Sequence, residues 1–144
     1  MTRSPIRQRV FRRILEREAG SAGDASAIAA ATRRLCERFA QQLTPLVGDA
    51  GVAAICTRTL HLAERQVPGL ASARASQQDD GPFTHAQHFL EQQEPSLAAE
   101  AGVAVLTTFG ELLASFIGES LTTRLLREAW PDDFAGDTTE ETTT

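Results

Sequence analysis

Apolar residues recur along most of the chain at intervals of three, four and seven positions, the spacing that gathers them on one face of a helix. In residues 26–47 the stripe is Ile28, Leu35, Cys36, Phe39, Leu43, Leu46 and Val47. Asp24 or Ser26 is placed to cap its start and Gly48 its end, while Pro45, one turn earlier, is expected to bend the helix or finish it early. Asp49 opens a second helix whose inner face reads Val52, Ile55, Cys56, Thr59, Leu60 and Ala63, until Pro68 and Gly69 stop it. Residues 70–81 are polar, end in Asp79-Asp80-Gly81, and read as a loop before a short helix from about Phe83 to Gln93. Pro95 and Ser96 then open the most apolar helix, in which Val105, Leu106, Phe109, Leu112, Leu113, Phe116 and Ile117 cover a wide arc. This pattern predicts the central helix. Gly118 ends it, Glu119 or Ser120 caps a last helix with the stripe Leu121, Leu125, Leu126 and Ala129, and Trp130-Pro131 terminates that. Strand signals are nearly absent: no stretch alternates apolar and polar residues with β-branched or aromatic enrichment.

The same pattern occurs twice, offset by seventy residues. Phe39, Leu43 and Gly48 recur as Phe109, Leu113 and Gly118, Leu46-Val47 as Phe116-Ile117, Asp49 as Glu119, and Ile55 as Leu125. Each copy reads as a helical hairpin: long helix, glycine stop, acidic cap, shorter helix. The expected fold class is all-α, two repeated helical hairpins (about 26–67 and 96–130, linker 68–95) forming a four-helix-type bundle domain over 21–131. Gly48 and Gly118 should be equivalent helix-turn residues with positive φ. A basic amphipathic helix in 1–20 precedes the domain, and a mobile acidic, Thr-rich tail at 132–144 follows it.

The segment Phe116-Ile-Gly-Glu-Ser-Leu-Thr-Thr-Arg-Leu-Leu-Arg-Glu-Ala-Trp-Pro131, with Leu46-Val-Gly-Asp-Ala-Gly-Val-Ala-Ala-Ile55 and Leu60-His-Leu-Ala63 upstream, resembles a family of small all-helical bacterial proteins. The resemblance spans roughly residues 30–131 and implies the helical fold. It implies no activity and carries no catalytic or binding residue.

Composition adds little to the fold and more to the compartment. A chain of 144 residues, 42% hydrophobic, buries enough surface to fold without a disulfide or metal staple. Two cysteines and no charged-then-apolar leader fit a reducing bacterial cytoplasm. Residues 101–118 are too polar for a membrane span. All fourteen basic residues are arginine, a usage that reads as genome-composition bias of a high-GC bacterium. The net charge of -5 is unevenly placed, basic over 1–20 and acidic beyond 131.

No constellation carries a clear reaction. Cys36 and Cys56 align at the repeat offset with Leu106 and Leu126, which makes them core thiols. They lie at unequal distances from Gly48, a mismatch of roughly 6 Å along an antiparallel hairpin that disfavours a disulfide. His85, His88 and Glu91 share a helical face but form an incomplete ligand set, and Glu-x-x-His pairs are absent. His61, between Arg58 and Arg65, reads as an exposed polar strip. A helix-turn-helix DNA reader is disfavoured because the position six after Gly118, which should be buried, is Arg124. The expectation is therefore a non-catalytic protein-interaction or regulatory module with no cofactor or metal.

Two surfaces are candidates for its partners. The apolar arc of 96–117 exceeds what one core-facing stripe needs, which predicts a homodimer, or a groove for a partner helix, through Leu106, Leu112 and Leu113 flanked by Arg124 and Arg127. In the first helix, Ile6, Val10, Phe11, Ile14 and Leu15 recur at helical spacing among Arg3, Arg7, Arg9, Arg12, Arg13 and Arg17. That helix either docks on its own domain or a dimer mate, or contacts nucleic-acid phosphates, the alternative function, or, less favourably, an anionic membrane.

Overall fold

The computed structural model describes residues 5–20, 23–68 and 82–131, with side chains from residue 7 in the first stretch and residue 86 in the last; every regular element among them is a helix. Five occur in order: α1 (Pro5–Ala19), α2 (Ala25–Ala63), α3 (Pro82–Glu91), α4 (Pro95–Ile117) and α5 (Glu119–Ala129). Arg3, His85's side chain, residues 69–81 of the expected linker and the acidic tail lie outside the described residues. Asp24 caps α2 from extended backbone, its carboxylate accepting the Ala27 N–H at 2.8 Å. Pro95 enters α4 in its first turn, where a missing N–H costs nothing.

The chain breaks twice in the same way. Inside α2, Gly48 has φ 78° and ψ 168°; between α4 and α5, Gly118 has φ 93° and ψ 160°. This mirror-extended region is open essentially to glycine alone, so each glycine ends one helical arm and starts another without a loop. Around Gly118 the bonding is continuous: its N–H donates to the Ala114 carbonyl and its carbonyl accepts from Thr122. Pro45 neither ends nor replaces the break. It sits exposed inside the first arm of α2, where the one hydrogen bond it removes lies on the surface, and the arm stops three residues later at Gly48.

Residues 101–110 of α4 are buried without interruption, so every face of that helix is covered, by α1, α2, α3 and α5. Helix α1 runs antiparallel to α4: Leu15 approaches Gly102, and Phe11 with Arg7 approaches Gly110. Helices α2 and α4 run side by side in the same direction, because Thr32 meets Gly102 and Phe39 stacks on Phe109, contacts one heptad apart in both helices. On the other side, α3 sets Leu90 against Ala29 and Ala101, and Arg33 donates to the Gln87 side chain at 3.1 Å. After Gly48 the second arm of α2 returns along the molecule, since Val67 reaches that Ala29–Leu90–Ala101 cluster.

Four rings join these elements at the centre. The Phe39 and Phe109 centroids are 4.6 Å apart at an interplanar angle of 20°, with Trp130 edge-on and Phe11 tilted against Phe39. Trp130 also meets Phe11 edge-on at 5.9 Å. Gly102 sets the closest approach of the backbones: a Cβ there would fall 2.5 Å from the Thr32 hydroxyl, itself donating to the Ile28 carbonyl, and 2.9 Å from a Leu15 methyl.

Two kinds of glycine follow, and alanine separates them. At Gly48 and Gly118 the added methyl meets nothing, so the cost is backbone strain alone, about 1–3 kcal/mol each. Gly102→Ala gains about 1 kcal/mol of helix propensity yet should lose about 1–3 kcal/mol to overpacking, for a net loss. Denaturant midpoints at unchanged m-value report all three; a neutral Gly118→Ala would contradict the strain argument.

Candidate functional site

The enclosure of α4 corrects the expected interaction surface. Leu106 and Leu113 are fully buried and Leu112 nearly so, inside a single chain. Over residues 101–110 the apolar arc read from the sequence is covered by four helices of the same chain, so these three leucines offer no surface. Arg124 and Arg127 are exposed on α5. The same burial accounts for the one described helix long and apolar enough to cross a membrane, which is α4 itself.

Exposed apolar side chains lie instead at the end of the paired helices. Leu46 is 50% and Phe116 63% exposed. Each stands two residues before its glycine, one heptad beyond Phe39 and Phe109 respectively, so the parallel course of α2 and α4 brings both to the same end. Sequence reasoning assigned both to inner faces. The missed signal was their position: each belongs to the last turn before a glycine break, where among the described residues no further helix extends to cover the seam. Val47 and Ile117 beside them are half-buried, and Asp49 and Glu119, the first residues of the return arms, are exposed.

The arginines of α1 do not form one surface. Arg7 is buried, its side chain 7% exposed, and donates to the Glu119 carboxylate at 2.6 Å, which ties the start of α1 to the start of α5. Arg12 makes a two-pronged contact with Glu100, at 3.1 and 3.2 Å. Arg9, Arg13 and Arg17 are exposed. Because Val10, Phe11, Ile14 and Leu15 are buried in the core, this helix docks on its own domain, and the two arginines nearest that interface answer acids of the same chain. Of the phosphate-contact set expected from the sequence, Arg7 and Arg12 pair with acids of the same chain.

Cys36 and Cys56 are free, buried thiols. Burial pushes the Cys56 thiol up to about 12, and burial followed by the neighbouring Cys56 and Glu37 charges pushes Cys36 up as well. Such thiols are poor nucleophiles at neutral pH. Among the described residues no three His, Cys, Asp or Glu side chains converge as a metal site; His61 and His88 are exposed, and Glu91 accepts from Gln87. Two clefts of about 270 Å³ flank the start of α4, one lined by Arg12, Leu15, Ile28 and Val103, the other by Val67, Phe89, Leu97 and Ala104. Neither contains a cluster of reactive side chains. No protein-family model, curated protein or solved structure matches the chain.

The thiols give a clean alkaline signature. The chain has neither lysine nor tyrosine, so between about pH 9 and pH 12 cysteine is the only side chain that titrates. The folded state raises both pKa values, so its advantage is complete below the ordinary value of 9.0 and is lost as pH rises from there toward the folded-state value, about 12 for Cys56. Unfolding free energy from denaturant melts should be level up to about pH 9 and fall steadily above it. In a Cys36→Ala, Cys56→Ala double variant the fall should vanish; a wild-type curve level through about pH 11 would contradict the burial argument.

Proposed function

We propose that the protein is a two-repeat helical bundle that serves as a non-catalytic protein-interaction module in a bacterial cytoplasm, binding through the end that carries Leu46 and Phe116. The repeat reading rests on three pairs of positions seventy residues apart: Gly48 and Gly118 share one rare backbone conformation, Phe39 stacks on Phe109, and Thr32 touches Gly102. When residues equivalent by sequence meet each other along parallel helices, a pseudo-two-fold axis runs along the seam between them. Burial follows the same axis: Cys36 and Leu106, Cys56 and Leu126, Leu60 and Trp130, and Ile55 and Leu125 are buried as pairs, and Leu46 and Phe116 are exposed as a pair.

The observation that carries the functional reading is that exposed pair. In the described residues only Leu46, Leu97 and Phe116 are large apolar side chains at the surface, and two of the three share one end of a scaffold whose centre is packed solid. An exposed apolar pair on a rigid support offers a place for a partner's apolar side chains.

Affinity purification from the native host with wild-type protein and with a Leu46→Ser, Phe116→Ser variant tests it. The partner set should be lost in the variant while its melting temperature stays within a few degrees of wild type, because both side chains are already half in water. Retention of every partner by a folded variant would remove this end as the contact surface.

A further inference from the structure

We propose that the end formed by Leu46 and Phe116 receives an arginine-bearing amphipathic segment of a partner protein, its apolar side chains resting on the Leu46–Phe116 pair and a guanidinium meeting Asp49. The proposal rests on the interaction-module reading and names the chemistry of its partner. The paired helices meet at successive levels, Thr32 with Gly102 and Phe39 with Phe109, and the next level in the same register is Leu46 with Phe116. There the seam is open. Two half-exposed side chains offer on the order of 200 Å² of apolar area, well short of the roughly 800 Å² per partner of a stable dimer. A second copy is thus poorly suited to this end, whereas a few side chains of one helix fill it.

Charge selects among segments. Asp49 and Glu119 stand at equivalent positions, each directly after its glycine and each exposed. One of the two is already answered: Arg7 reaches Glu119 from this chain's own basic amphipathic helix, at 2.6 Å with the carboxylate still 74% exposed. Among the described residues nothing donates to Asp49. The molecule displays at Glu119 the contact that, among its described residues, Asp49 lacks: an arginine from an amphipathic helix on the acid that follows the glycine. The same two carboxylates oppose an anionic lipid surface.

Display selection on the intact protein tests this, with a library of peptides of about 15 residues that carry apolar positions at helical spacing and Arg, Gln or Glu at the flanks. Arg-flanked peptides should be enriched, with Kd on the order of 10 μM. Asp49→Asn should weaken the best of them about three- to fivefold, Phe116→Ser should abolish detectable binding, and Arg58→Gln, on the outer face of the second arm of α2, should change nothing. Selection without charge preference, binders indifferent to Asp49→Asn or Phe116→Ser, or no binders at all would overturn the proposal. So would a dimer, or flotation with anionic vesicles, that Phe116→Ser eliminates. If host partners still depend on Phe116 while no Arg-flanked peptide binds, the interaction module stands and the partner chemistry falls.

Discussion

The stacked rings of Phe39 and Phe109 fix the relation between the two long helices, and the rest of the molecule is arranged around that relation. Offset aromatic stacking contributes about 0.5–1.5 kcal/mol beyond the area it buries, but its larger effect here is on direction. With Thr32 against Gly102 one heptad earlier, the stack sets α2 and α4 parallel and in register. Parallel neighbours in one chain need a connection that travels back along the molecule, and the return arm after Gly48 together with α3 supplies it. Both glycine breaks then fall at one end, both return arms start there, and among the described residues the final level of the seam is left without a cover.

Enclosing α4 is the second consequence. A helix buried on every face over residues 101–110 must meet neighbours closely somewhere, and small residues make room: Gly102 beside Thr32 and Leu15, Gly110 beside Phe11 and Arg7. Helix α1 completes the enclosure by placing Phe11 and Ile14 at zero exposure, and its buried Arg7 is stabilised by Glu119 at the opposite break. Thr32 and Thr59 satisfy their hydroxyls on carbonyls one turn back, whereas the buried Thr107 hydroxyl has no hydrogen-bond partner.

Much of this was legible in the sequence, for reasons that differ from residue to residue. Helical periodicity, the Asp24 cap and the Pro95 entry are local signals, and the helices fall within a few residues of where they point. The glycines were legible because a break repeated at a fixed offset is a backbone requirement, although their ψ near 160–168° is more extended than an ordinary helix cap. What the pattern could not give was environment. The arc of α4 looks the same whether a dimer or four helices cover it, so Leu106, Leu112 and Leu113 were taken for surface. Leu46 and Phe116 continue a buried stripe in one dimension and leave it in three, because burial ends where the neighbouring helices end. The arginines of α1 likewise show no sign in sequence of which will find an acid nearly ninety or more residues away, as Arg12 and Arg7 do.

The central claim is that the two long helices lie parallel, with both breaks at one end, and a single distance decides it. Cysteines introduced at Leu46 and Phe116 take spin labels selectively, because Cys36 and Cys56 are buried thiols. Pulsed electron resonance on the doubly labelled protein should give a distance under about 20 Å, the reach of two neighbouring helices about 8–10 Å apart plus their labels. A distance beyond roughly 30 Å, the length of some twenty helical residues, would mean that the helices run antiparallel and would contradict the account.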